Sequence, residues 1–142
     1  MKLFTKKTPV ILDTNFLLLP GTGGIDVFQE IKELLDEPAS LQVTQATEHE
    51  LQNIIDGHGK GKDKFSAKLG FIMIKQQGLK VIKGSHGDGY ADQAIVARVR
   101  PGTIVATLDK ALQKEVLDAG GRIITVQNKR LALKGTNPRK ER

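Results

Sequence analysis

Residues 10–18 read VILDTNFLL and residues 105–112 read VATLDKAL. In both, an apolar run of the kind that forms a buried strand stops at a carboxylate, Asp13 in one and Asp109 in the other. If the two strands are parallel, both acids project from the same edge of one sheet. Two further acids stand in short contexts of their own: Glu50 in TEHELQNI (47–54) and Asp92 in GYADQAIV (89–96). Glu50 falls in the first turns of a helical stretch, and Asp92 opens another. Crowded carboxylates repel and raise one another's pKa. A divalent cation removes that cost, so the pattern points to a metal site with open coordination and to phosphodiester chemistry.

Working outward from these runs, strands alternate with helices. The first strand is expected from Pro9 to Leu12, followed by a loop rich in glycine (Gly21, Gly23, Gly24). Val27, Ile31, Leu34 and Leu35 recur at helical spacing within Asp26–Asp36, with Pro38 beyond the end. A second strand is expected over Leu41–Val43. Thr44 or Thr47 can cap a helix running to about Ile55. Residues 57–64, GHGKGKDK, read as a basic loop. A helix from about Phe65 to Gln77 is expected to turn Phe65, Leu69, Ile72 and Met73 inward. Leu79–Ile82 is the third strand, Tyr90–Arg98 a short helix, Thr103–Ala106 the fourth strand, Asp109–Leu117 a helix and Ile123–Val126 the fifth strand. The pattern predicts a three-layer α/β/α domain with a central parallel five-stranded sheet over residues 1–130, and a basic tail over 131–142. Ligands of such sheets bind at the carboxyl ends of the strands near a topological switch point, which is where Asp13 and Asp109 fall.

The bulk numbers bound the partner. The 142 residues fit one domain. With 22 basic and 16 acidic residues the formal charge is +6; setting the four acids aside leaves 22 against 12, a charge of +10. A basic body around a small acidic pocket favours a polyanion. No cysteine is present, which excludes disulfides and thiolate metal sites. No apolar run approaches the ~20 residues that span a bilayer. The start, MKLFTKKTPVILD, lacks the features of a secretory signal, so no membrane association and a cytoplasmic location are expected.

Each acid also has a purely structural explanation. Asp109 can cap the helix that begins at Lys110. Asp92 can favour the positive end of its helix. Thr47 and Glu50 fit a capping box, and Asp13 an Asx-turn. Caps, however, accept Ser or Asn equally well, and they have no reason to gather at one sheet edge. Other α/β chemistries fit worse. GHGKGKDKFS has the wrong spacing for a phosphate loop, and neither GTGG nor GSHGDG completes a dinucleotide fingerprint. No G-x-S-x-G or paired H-x-x-x-H occurs, and His49, His58 and His86 are scattered.

The ordered set of LDTNF, a helix carrying Glu50-Leu51, YAD-x-x-I and AT-x-D-x-x-L resembles a PIN-domain ribonuclease over residues 9 to 127. The segment GDGYADQAIVARV with IVATLDKALQKEV is most similar to PIN domains that process small-subunit ribosomal RNA. Where that subfamily has a second acid after YAD, this chain has Gln93. Toxins of toxin–antitoxin pairs resemble the chain in the same four acids.

The resemblance implies that Asp13, Glu50, Asp92 and Asp109 are catalytic and bind one or two Mg2+ or Mn2+ ions, with Asp88 as a candidate auxiliary ligand. Hard cations take oxygen ligands, and two of them can activate a water and stabilise a leaving oxygen. Asn15 and Thr107 stand beside the acids as supporting residues. The partner expected is RNA, with ribosomal RNA precursor favoured; a homodimer and ribosome-assembly factors are further candidates. Lys60, Lys62 and Lys64, with Arg139 and Lys140, are expected to contact phosphates. The alternatives to rRNA processing are a toxin ribonuclease and a non-catalytic RNA-binding module in ribosome assembly.

Overall fold

The structure is a computed structural model that describes residues 6–57, 61–84 and 91–138. Expectations for His58, Lys60, His86, Asp88, Tyr90, Arg139, Lys140 and Arg142 lie outside these residues. The chain runs β1 (Thr8–Leu12), α1 (Thr14–Thr22), α2 (Val27–Leu34), β2 (Ala39–Thr44), α3 (Gln45–Asp56) and α4 (Gly61–Gln76). It continues with β3 (Lys80–Ile82), α5 (Ala91–Val96), β4 (Ile104–Ala106), α6 (Lys110–Asp118), β5 (Arg122–Gln127) and β6 (Arg130–Lys134).

The strands form one sheet in the order β3-β2-β1-β4-β5-β6. The first five are mutually parallel, as the alternating pattern implies. β6 is an addition, antiparallel to β5 from Ile123↔Lys134 to Gln127↔Arg130. Residues 131–134 therefore belong to the sheet, and the tail expected from residue 131 is corrected accordingly. Its turn, at Asn128 and Lys129, puts two non-glycine residues at positive φ, 51° and 64°. That turn lacks the Gly that makes a hairpin legible in sequence.

Alternation along the strands divides the core. Val10, Leu12, Ile104 and Ala106 face α1–α4, where they meet Phe16, Phe28, Ile31 and Leu51. Ile11, Val105 and Ile123 face α5 and α6, where they meet Ile95, Leu112 and Val116. The first layer has four helices and the second only two, of six and nine residues. From β1 the chain steps to β2 and β3 on one side, then returns to β4 on the other. The topological switch point is thus the crevice beyond the carboxyl ends of β1 and β4.

Two helices differ from expectation. The glycine-rich loop after β1 is helix α1, with Pro20 and Gly21 inside it. In α4 the face expected inward is so only in part: Phe65 is 60% and Ile72 51% exposed, whereas Leu69 and Met73 are half-buried and Met73 packs against the core. The buried face is Ser66, Ala67, Gly70 and Ile74. Close approach of α1 causes this. A Cβ on Gly21 would lie 2.5 Å from Ser66 Oγ, and one on Gly70 would lie 2.7 Å from the Leu17 carbonyl oxygen. Only small side chains fit between the helices, so bulk is excluded from that side.

Candidate active site

The site is built where β1 and β4 end. Leu12 pairs with Ala106 in parallel register, and the Asp13 N–H continues the ladder by donating to the Ala106 carbonyl at 2.9 Å. Asp13 then leaves the strand and caps α1, its Oδ1 accepting from Thr14 N–H at 2.8 Å. Its Oδ2 accepts from the Thr107 hydroxyl at 2.7 Å and from the Asn15 side-chain amide at 3.3 Å. Both carboxylate oxygens are therefore fixed, and the side chain is buried, 7% exposed.

Thr107 and Asn15 tie the two strand ends together. The Thr107 hydroxyl also accepts from Asp109 N–H at 3.1 Å, while Asn15 Oδ1 accepts from Leu108 N–H at 3.1 Å. Gln113 on α6 donates to the Thr107 carbonyl at 2.7 Å and to the Thr125 hydroxyl at 3.1 Å. Thr14, which sequence reasoning missed, bridges two acids: its N–H serves Asp13, and its hydroxyl donates to Glu50 Oε1 at 2.6 Å. The threonine after the strand-ending aspartate was the available signal.

Asp109 caps α6, with Oδ1 accepting from Ala111 and Leu112 N–H at 2.9 and 3.2 Å. The capping explanation of this residue holds, yet it uses one oxygen of two. Asp92 sits in the first turn of α5, its Oδ1 accepting from Gln93 N–H at 2.9 Å. The capping box expected of Glu50 does not form. Thr44, not Thr47, is the N-cap of α3, with Thr47 N–H donating to its hydroxyl at 3.1 Å. Glu50 therefore lies in the second turn, beyond reach of the helix start, and its carboxylate is directed to Thr14.

Asp13, Glu50, Asp92 and Asp109 all line one open cleft of about 290 Å3, with Thr14, Asn15, Leu18 and Ala91. Burial grades across it: Asp13 is buried at the floor, Glu50 is half-buried, and Asp92 and Asp109 are exposed. Burial raises the Asp13 pKa above the ordinary 3.8, and the negative charges of Glu50 and Asp109 raise it further; the Thr107 and Thr14 hydrogen bonds pull the other way. Among the described residues no three acids or imidazoles already converge as a metal-binding group. The donor set still suits Mg2+ or Mn2+. All donors are carboxylate oxygens, one oxygen each of Glu50, Asp92 and Asp109 has no hydrogen-bond partner among the described residues, and Mg2+ is commonly held by one or two carboxylates plus waters.

Lys62 and Lys64 are in the first turn of α4 and are not among the residues of this cleft. The larger cavities of the molecule lie elsewhere: one of about 400 Å3 beside Ile31, Lys32 and Gln77, and one of about 690 Å3 beside β3. Neither contains any of the four acids. No helix among the described residues is long and apolar enough to cross a membrane.

Residues 10–129 match the family model described as a PIN like domain. No curated protein matches the chain. Among solved structures, the PIN domain endonuclease Utp24 is similar at 24% identity and a TM-score of 0.73, over 91% of this chain and 92% of that one. VapBC2 from Rickettsia felis, bound to a DNA fragment from their promoter, is similar at 13% identity and a TM-score of 0.59, over 84% of this chain and 100% of that one. These structural likenesses concern the fold.

Proposed function

The chain belongs to the PIN like domain family, and from that premise we propose that it is a divalent-metal-dependent endoribonuclease acting on ribosomal RNA precursor. One observation carries the reading: acids from four separate segments, after β1, in α3, in α5 and after β4, line a single cleft at the switch point of the sheet. Four independent helix caps would have no cause to meet there.

In this reading Asp13, Glu50, Asp92 and Asp109 hold the cation, Mg2+ or Mn2+. When bound, such an ion supplies a water of lowered pKa and positive charge for the scissile phosphate. The chain's own residues prepare the place. Thr107 and Thr14 hold the Asp13 carboxylate in one orientation, and Thr14 sets Glu50 beside it. Asn15 locks the turn after β4 to the turn after β1. The N-termini of α1 and α6 open at the same edge, where their partial positive charge favours anions. The choice of ribosomal RNA rests on the sequence pattern around Asp92 and Asp109, and a cytoplasmic location is part of the same proposal.

The test is cleavage of a single-stranded or loop-containing rRNA precursor fragment. Activity that needs Mg2+ or Mn2+, ceases in chelator and falls in Asp109→Ser supports the reading. Asp109→Ser keeps the cap while removing the carboxylate, so full activity in that variant would mean that the residue is only a cap.

A further inference from the structure

We propose that the groove between β3 and α5 is the path along which single-stranded RNA lies on its way to the acidic cleft. The inference rests on the reading of the chain as an RNA-cutting enzyme and adds to it a place for the substrate strand.

The groove exists because two short helices cannot cover one face of a six-stranded sheet. Ile11 and Ile82 belong to the core beneath α5 and α6, and both line a cavity of about 690 Å3. Their neighbour Pro9 completes an apolar floor. The walls are cationic: Lys7, Lys80, Lys83, Arg98 and Arg100 line the same cavity. No Asp or Glu stands among its described lining residues. The ion pairs Lys114–Asp118 and Glu37–Arg122 lie outside the groove. The walls are also set in place. Arg98 donates to the Lys83 carbonyl at 3.1 Å and Arg100 to the Val99 carbonyl at 3.0 Å.

The groove leads toward the site. Lys7 precedes β1, whereas Lys83 follows β3, so the cavity runs the length of the strands, roughly 16 Å for five residues at ~3.3 Å each. A second cavity of about 260 Å3 shares Ile82, Lys83, Arg98 and Arg100 with it and reaches Thr44, Gly84 and Ala94. Thr44 ends β2 at the carboxyl edge, and Ala94 is on α5 with Asp92. Cationic walls over an apolar floor suit a strand whose phosphates face the lysines and arginines while unpaired bases rest on the accessible Pro9 and Val81. Phosphate contact supplies affinity without sequence preference.

The full chain carrying Asp109→Ser, chosen to limit cutting during the measurement, is titrated against a fluorescent oligouridylate by anisotropy at several salt concentrations. Lys7→Gln, Lys80→Gln and Lys83→Gln together should weaken binding at least ~10-fold and reduce the log–log salt slope by about 2, at ~0.7 per lost phosphate contact on a single strand. Removing equal charge on the opposite face and at the β6 edge, with Lys68→Gln, Lys75→Gln and Lys134→Gln, should leave both nearly unchanged. Equal losses in the two triple variants would reduce the effect to net charge and overturn the proposal, as would unaltered binding in the groove variant. Affinity for a polyglutamate of equal charge matching that for the RNA would assign the groove to an acidic protein instead. Cleavage by the chain with Asp109 intact is scored separately: its absence would sink the nuclease reading, while the binding comparison alone decides the groove.

Discussion

The Thr107 hydroxyl donates to the Asp13 carboxylate at 2.7 Å, across 94 positions of chain. The same hydroxyl accepts from Asp109 N–H. One buried side chain thus sets the floor acid and the turn that carries a rim acid, and joins the two strands that flank the switch point. In the proposed reading Asp13 and Asp109 are thus held before any ion arrives, which is the condition for an electrostatic site to act without reorganisation.

Thr107→Val keeps the shape and removes the hydroxyl. Asp109 N–H then loses its acceptor, and Asp13 loses the hydrogen bond that most opposes its raised pKa. Unfolding free energy should fall by about 1–3 kcal/mol, and the acid limb of the pH–rate profile should move to higher pH. A profile unmoved by the substitution would show that Thr107 has no hold on Asp13.

Asp13→Asn should lower cleavage by at least ~100-fold, the scale set by loss of one preorganised electrostatic group. Asp109→Ser should do the same with the helix intact by circular dichroism. Retained activity in Asp109→Ser would leave the N-cap as the residue's whole role.

Asp13 also makes stability depend on pH. Its folded pKa is raised above 3.8, first by burial, so the folded chain holds that proton more tightly than the unfolded chain. The stability gained from this is complete below the unfolded value and is lost as pH rises through the folded value. In chelator, the unfolding free energy of Asp13→Asn relative to wild type should therefore be most favourable near neutral pH and decline as pH falls toward ~4. Urea melts at the two pH values measure it. A constant difference would contradict the raised pKa.

How much of this was legible in the sequence follows from what each residue must satisfy. The strands could be read from their short apolar runs, and Asp13 and Asp109 from their places where such runs end, whereas Asp92 was found at the start of a helical stretch. Glu50 does line the cleft, but its capping-box explanation fails, because Thr44 and Thr47 are both competent caps and only the chain's path chooses between them. The inward face of α4 was read only in part, for a different reason. Apolar residues occur on both of its sides, and the choice was made by Gly21 and Gly70, whose small size matters only once α1 lies against them. Helix α1 was hidden by Pro20 and Gly21, whose local preferences argue for a loop. The groove was invisible because Lys7, Lys80 and Arg98 are far apart in sequence.

Gly70→Ala tests the helix contact. A Cβ there would meet the Leu17 carbonyl oxygen at 2.7 Å, which backbone movement alone can relieve. Overpacking of this kind costs roughly 1–3 kcal/mol. Because Leu17 is one turn from Asp13, cleavage should fall along with stability. A variant as stable as wild type would mean that α1 and α4 are further apart than described.

The central claim is that the four acids form a cation site. Anomalous diffraction from a crystal equilibrated with Mn2+ tests it most directly. A peak in the cleft bounded by Asp13, Glu50, Asp92 and Asp109, lost in a crystal of Asp13→Asn, is the predicted result. A well-ordered cleft without Mn2+ at saturating concentration, from protein that still cuts RNA, would contradict it.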